Sequence, residues 1–192
     1  MPRRSLTANE IAAFRERAIT AVAKLFASRG AEGVTMRALA KELGCSPMTP
    51  YHYFDNQEHL LAAARTRAFE DLAAAQRLAS EGPGDALQRI RRARRAYIAF
   101  AVENPELYRL MFFALPPKES YAELTSAWSA SFAPLREAVV SAVAERTIEG
   151  DVDVIAHLLW SEMHGLVSLH LSDKLNFGCS LSRLVEHSLL DL

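Results

Sequence analysis

The chain has 192 residues, half of them hydrophobic and 23% charged, with a formal net charge of −1. That describes a soluble globular protein of one or two small domains, and no overall basicity advertises a nucleic-acid partner. Two cysteines, Cys45 and Cys179, exclude a disulfide framework and a zinc cluster.

The charge is unevenly placed. Residues 1–56 hold eight Lys/Arg against five Asp/Glu, and the remainder holds 14 against 18. The N-terminus lacks an apolar signal region, and no run of about 18 apolar residues exists. A cytoplasmic protein with no membrane contact is the expectation.

Residues 1–6 read as a loose arm, from which Arg3 and Arg4 can reach a groove or a phosphate. Thr7-x-x-Glu10 is a capping box. Ile11, Phe14, Ala18, Val22, Leu25 and Phe26 then follow helical spacing to Gly30.

Thr35 can cap a second helix, with Leu39 and Leu43 on one face and Gly44 as its left-handed terminator. Ser46 can cap a third, with Pro47 in its first position. The expectation is a short helix, a tight turn at Gly44-Cys45-Ser46, and a second short helix through Tyr53, which is the spacing of a helix-turn-helix. An αα-corner with packed aromatics has the same spacing. The second helix is nevertheless rich in side chains that touch base edges, thymine methyls and phosphates, and poor in Leu, Ile and Val. Pro50 removes a backbone donor inside it unless the helix restarts at Thr49.

From Glu58 to about Ala79 an Ala-rich helix follows, broken by E-G-P-G at 81–84. Asp85 begins another, to about Glu103, whose Arg89, Arg91, Arg92, Arg94 and Arg95 lie mostly off its apolar side and are expected to be solvated or ion-paired. Asn104-Pro105-Glu106 opens a short helix that Pro116-Pro117 stop. Residues 119–148 read as a long helix that Pro134 should kink or divide. Asp151 caps an apolar helix from Val152 to Leu171, a loop fills 172–179, and Ser180 caps a last helix with Leu181, Leu184, Val185 and Leu189. With no strand alternation and no internal repeat, the expected fold is all-α with about nine helices.

Four consecutive stretches, F-A-S-R-G, G-V-T-M-R-A-L-A-K-E-L-G-C-S, T-P-Y-H-Y-F and E-H-L-L, resemble the tetracycline-repressor (TetR) family of bacterial regulators across roughly residues 10 to 61. The segment W-S-E-M-H-G-L-V-S-L at 160–169 resembles the C-terminal domain of a subgroup marked by Trp, His and Gly. The resemblance implies a helix-turn-helix domain over 1–56, a ligand-binding and dimerisation domain over 57–192, and a repressor released from a palindromic operator by a small molecule. It places Met48, Thr49, Tyr51 and His52 near bases, and Thr35, Arg37 and Tyr53 near phosphates, with Ser46 and Pro47 opening the same element. Gln57 stands where family members usually carry a phosphate-binding lysine, which would make the salt slope of a dimer shallower by about two units.

Tyr97, Phe100, Met111, Phe112, Phe113, Trp128, Phe132, Trp160, Met163 and His164 can line an apolar pocket for an apolar or aromatic effector, or serve as plain core. His157 and His164 lack the spacing and partners of a metal site, so no metal or cofactor is expected. No phosphate loop or nucleophile elbow points to an enzyme. The last two helices are the candidates for a homodimer interface, although a buried central helix reads the same way. Two alternatives stay open: a DNA-binding activator or architectural protein with no effector, and a helical ligand-binding protein whose helix-turn-helix does not function.

Overall fold

The computed structural model describes residues 7–114, 117 and 120–187. Among these, eight α-helices and one 3-10 turn make up the regular structure. The helices are α1 (Ala8–Gly33), α2 (Met36–Glu42), α3 (Gln57–Ser80), α4 (Ala86–Glu103), α5 (Pro105–Phe112), α6 (Ala122–Ala144), α7 (Val152–Leu171) and α8 (Leu181–Glu186). The arginine arm at residues 3 and 4, Pro116 and Leu189 lie outside the described residues.

Local chemistry explains most boundaries. Thr7 Oγ1 accepts from the Glu10 amide at 3.3 Å and Glu10 Oε2 accepts from the Thr7 amide at 2.8 Å, a reciprocal capping box. The side chains of Thr35, Asp85, Asp151 and Ser180 each accept from the amide three residues on. Gly30 interrupts α1 at φ 66° and ψ −173°, a conformation essentially closed to residues with a Cβ. Gly44, at φ 65°, ends α2. Pro134 sits inside α6, which runs through it undivided. Beside that gap in the ladder, buried Gln76 donates to the Ser131 carbonyl at 2.9 Å.

The chain forms two units, one from Met1–Ala68 with Glu106–Ala127 and one from Phe69–Pro105 with Trp128–Leu192. In the first, Phe14, Ala18, Val22 and Leu25 of α1 pack with Leu39 of α2, Phe54, Leu60 of α3 and Leu110 of α5. Burying each large apolar side chain stabilises the unit by about 1.5–3 kcal/mol relative to leaving it exposed. Arg65, also buried, donates to the Met111 carbonyl at 3.1 Å.

In the second unit α4 lies against α7. Three arginines of α4, Arg89, Arg92 and Arg94, are ion-paired or bonded to carbonyls. Arg89 meets Glu145 at 2.6 Å, and Arg92 donates to the carbonyls of Ala79, Ser80, Gly82 and Pro83. Arg94 is ion-paired as expected, to Glu162 at 2.6 Å, but it is buried, at 4% exposed, rather than on an outer face.

The two glycine turns should respond differently to asparagine, which tolerates the left-handed helical region but not the backbone of Gly30. Denaturant titration of Gly44→Asn is expected to stay within about 1 kcal/mol of wild type, and Gly30→Asn to lose about 1–3 kcal/mol. Equal losses would contradict this reading of Gly30.

Candidate functional site

Two backbone bonds close α2. The Cys45 amide donates to the Ala40 carbonyl at 2.9 Å and the Gly44 amide to the Lys41 carbonyl at 3.2 Å, the paired pattern of a Schellman end. The chain then turns. The Thr49 amide donates to the Ser46 carbonyl at 2.8 Å, and the Met48 amide to the Ser46 hydroxyl at 3.4 Å.

The second helix expected from Ser46 through Tyr53 is therefore corrected to a turn over 46–49 followed by a 3-10 turn at Pro50–His52. Pro50 has no N–H for the Ser46 carbonyl, so the Thr49 amide takes that acceptor three residues on instead of four. Thr49 already has helical φ/ψ of −61° and −47°, and Pro50 occupies the first position of the restarted turn, where its lost donor costs nothing.

This geometry aims the side chains. Ser46, Pro47, Met48, Tyr51 and His52 are exposed, with Met48 at 63% and Tyr51 at 50%. Thr49 and Tyr53 are half-buried and Pro50 is buried. The Tyr53 ring stacks on Phe14 at 3.9 Å between centroids, so its ring anchors the element to α1.

Sequence reasoning missed two further anchors. Arg15 donates to the Tyr53 carbonyl at 3.2 Å and Arg17 to the Leu43 carbonyl at 3.4 Å, so α1 holds the backbone at the exit and entry of the turn. Their i, i+2 spacing carried no signal of this role.

Thr35 is half-buried and serves as the cap of α2, its hydroxyl accepting from the Ala38 amide at 3.1 Å. Arg37 is exposed. Gln57 is half-buried, and its side-chain amide donates to the Ala31 carbonyl at 3.4 Å. Thr35 and Arg37 share a cavity of about 490 Å³ with Arg29 and Lys41, two residues the motif reading did not select.

The aromatic candidates divide. Tyr97, Phe100 and Met163 are buried within the second unit, and Met111 within the first. Phe112 packs on Tyr108 at 4.8 Å, and Phe113 lies 6.5 Å from the same ring and is exposed. Trp128 is exposed, its ring parallel to Phe69 at 6.2 Å.

Phe132, Trp160 and His164 do gather. Trp160 lies 6.2 Å from Phe132 and 5.9 Å from His164. His157 joins them at 4.9 Å from Phe132. Burial holds His164 below the ordinary histidine range, which favours its neutral form. Among the described residues no three His, Cys, Asp or Glu side chains gather as a metal would require.

On the outer face of α7, Val154, Leu158 and Leu169 are exposed, Leu158 at 63%, and a Cβ at Gly165 would meet open space. Nothing on α8 is buried within the chain, and Phe177 in the loop before it is 97% exposed. Among the described residues no helix is long and apolar enough to cross a membrane.

Residues 90–192, more than half of the chain, match the family model for the tetracyclin repressor-like C-terminal domain, and residues 18–64 match that for bacterial regulatory proteins of the tetR family. The chain belongs to the TetR family. It is thus a DNA-binding transcriptional regulator.

Among similar solved structures, a protein of unknown function from Rhodococcus sp. RHA1 has 26% identity and a TM-score of 0.80, over 97% of this chain and 94% of that one. The TetR family transcriptional regulator PfmR from Thermus thermophilus has 25% identity and a TM-score of 0.67, over 79% and 85%. The fatty acid degradation regulator FadR from Bacillus halodurans, at 16% identity and a TM-score of 0.76 over 91% and 96%, shares the fold. The comparison with curated proteins gave no match.

The state of His164 yields a pH test. Its folded form takes up a proton less readily than the unfolded chain, so stability is lost as pH falls through the ordinary histidine value. Between about pH 7 and pH 5 the Tm of His164→Gln should fall less than that of wild type. An equal fall would place the pH sensitivity elsewhere.

Proposed function

We propose that this TetR-family protein is a homodimeric repressor that reads a palindromic operator with residues 1–56 and binds an apolar or aromatic effector within residues 57–192. The observation that carries the DNA reading is the exposure of Met48, Tyr51 and His52 on a short turn whose backbone α1 holds at both ends. Apolar groups and a histidine left in water on a rigid support suit thymine methyls and base edges. Thr49 stands beside them, while Ser46, Pro47, Thr35, Arg37, Tyr53 and Gln57 flank them toward the backbone. The chain would act in the cytoplasm, with no catalytic role.

One such element contacts too few bases for useful specificity. Two copies about 34–36 Å apart on one face of the duplex would read both halves of a palindrome. The exposed stripe of Val154, Leu158 and Leu169, with room at Gly165 and an unburied α8 alongside, supports pairing through the last two helices. An effector at Phe132, Trp160 and His164 would favour the spacing of the two readers that does not fit the operator. A coupling of about 1–3 kcal/mol changes occupancy five- to 150-fold.

Burial of Tyr97, Phe100 and Met163 in the core favours a second reading, a DNA-binding regulator with no effector. Replacing Trp160 separates the two: under the effector reading the ligand response changes while ligand-free DNA affinity is retained.

Selection of genomic fragments by the purified protein should recover a palindromic site. Tyr51→Ala with His52→Ala is expected to weaken binding to that site by 10-fold or more, from about 1–3 kcal/mol per lost base contact, with the dimer intact by sedimentation. Unchanged affinity would remove these residues from the reader. For the interface, Val154→Glu with Leu158→Glu should sediment as a helical monomer with greatly reduced operator affinity; a persistent dimer would place the interface elsewhere.

A further inference from the structure

The tail of α1, the length of α2 and the turn after it border the open cavity of about 490 Å³ noted above, lined by Arg29, Thr35, Arg37, Lys41, Cys45 and Pro47 together with the small side chains of Ala38 and Ala40. Its charge is one-sided. Three cations line it and no carboxylate does, whereas Glu32 and Glu58 both line another cavity of the same unit.

The cations also differ from other arginines of the same unit. Arg15 and Arg17 are spent on backbone carbonyls and Arg67 on Glu16. Among the described residues the side chains of Arg29, Arg37 and Lys41 enter no hydrogen bond or ion pair, and all three are exposed. Three like charges around one concavity repel one another, and an anion seated among them relieves that repulsion.

We propose that this cavity is a phosphate site for the DNA backbone, in which Arg29 and Lys41 supply charge beyond the contacts expected of Thr35 and Arg37. The inference rests on the DNA-binding reading and deepens it. Pro47 belongs both to the cavity wall and to the reading turn, so a phosphate held here lies beside the bases that Met48 and Tyr51 face. The guanidinium groups of Arg29 and Arg37 can each present paired N–H donors to phosphate oxygens, Lys41 adds a point charge, and the Thr35 hydroxyl keeps a hydrogen to donate while it caps α2.

The site also accounts for Gln57. Its amide is turned to the Ala31 carbonyl and brings no charge to the interface. Arg29 and Lys41 supply that charge from the cavity instead, so the salt slope need not be shallow.

The test uses the full-length protein and a random-sequence duplex, because non-specific binding reports phosphate contacts almost alone. Affinity is followed against salt for wild type, Arg29→Gln, Lys41→Gln and the double variant. Each substitution is expected to lower the log–log slope by about 0.9 per protomer, roughly two units per dimer, with sequence preference unchanged. Arg29→Lys and Lys41→Arg keep the charge and should hold the wild-type slope. Arg95→Gln, an exposed arginine of α4, should leave it unchanged. Wild-type slopes in the glutamine variants, or an equal drop in Arg95→Gln, overturn the site alone. No salt-dependent binding by the wild type overturns the DNA-binding reading along with it.

Discussion

The two backbone hydrogen bonds that end α2, from Cys45 to Ala40 and from Gly44 to Lys41, set the direction of everything the N-terminal unit presents. They require a left-handed residue at 44, which glycine adopts without a Cβ penalty. Once the chain leaves α2 in that direction, the Ser46 carbonyl can take only the Thr49 amide, because Pro50 has none. The segment after α2 is consequently a turn and a single 3-10 turn. So short a piece has almost no helical stability of its own. The Tyr53–Phe14 stack and the Arg15 and Arg17 bonds to the backbone supply the rigidity that the helix does not.

This division of labour explains why α1 is both apolar and charged. Its inner face, Phe14, Ala18, Val22 and Leu25, builds the core of the unit. Its flanking arginines are not surface ornament: two hold the turn, and Arg29 opens on the basic cavity. Holding this turn from behind leaves Met48, Tyr51 and His52 exposed on its outer side, and it fixes their geometry before any ligand is met.

The second unit solves a different problem. Arg94 and Glu162 join α4 to α7 through a largely buried pair, and Gln76 satisfies a carbonyl beside Pro134. Removing one member of a buried ion pair leaves an uncompensated charge in the interior. In the same unit, the cluster of Phe132, His157, Trp160 and His164 combines apolar rings with a histidine whose neutral form burial favours.

Caps, glycine terminators and helical spacing act within a few residues, and for that reason the ends of α2, α4, α7 and α8 could be read from Thr35 and Gly44, Asp85, Asp151 and Ser180. Family membership was equally legible, since its motifs run along the chain. The conflict at Pro50 was visible too, but its resolution depended on which amide the Ser46 carbonyl would find. Only the tertiary structure decided that Arg94 is buried, that His157 joins Trp160, that Tyr97 and Phe100 are core, and that Arg29 and Lys41 face one cavity. Each of these depends on contacts between distant stretches of chain, whose partners no local rule of capping or periodicity can name.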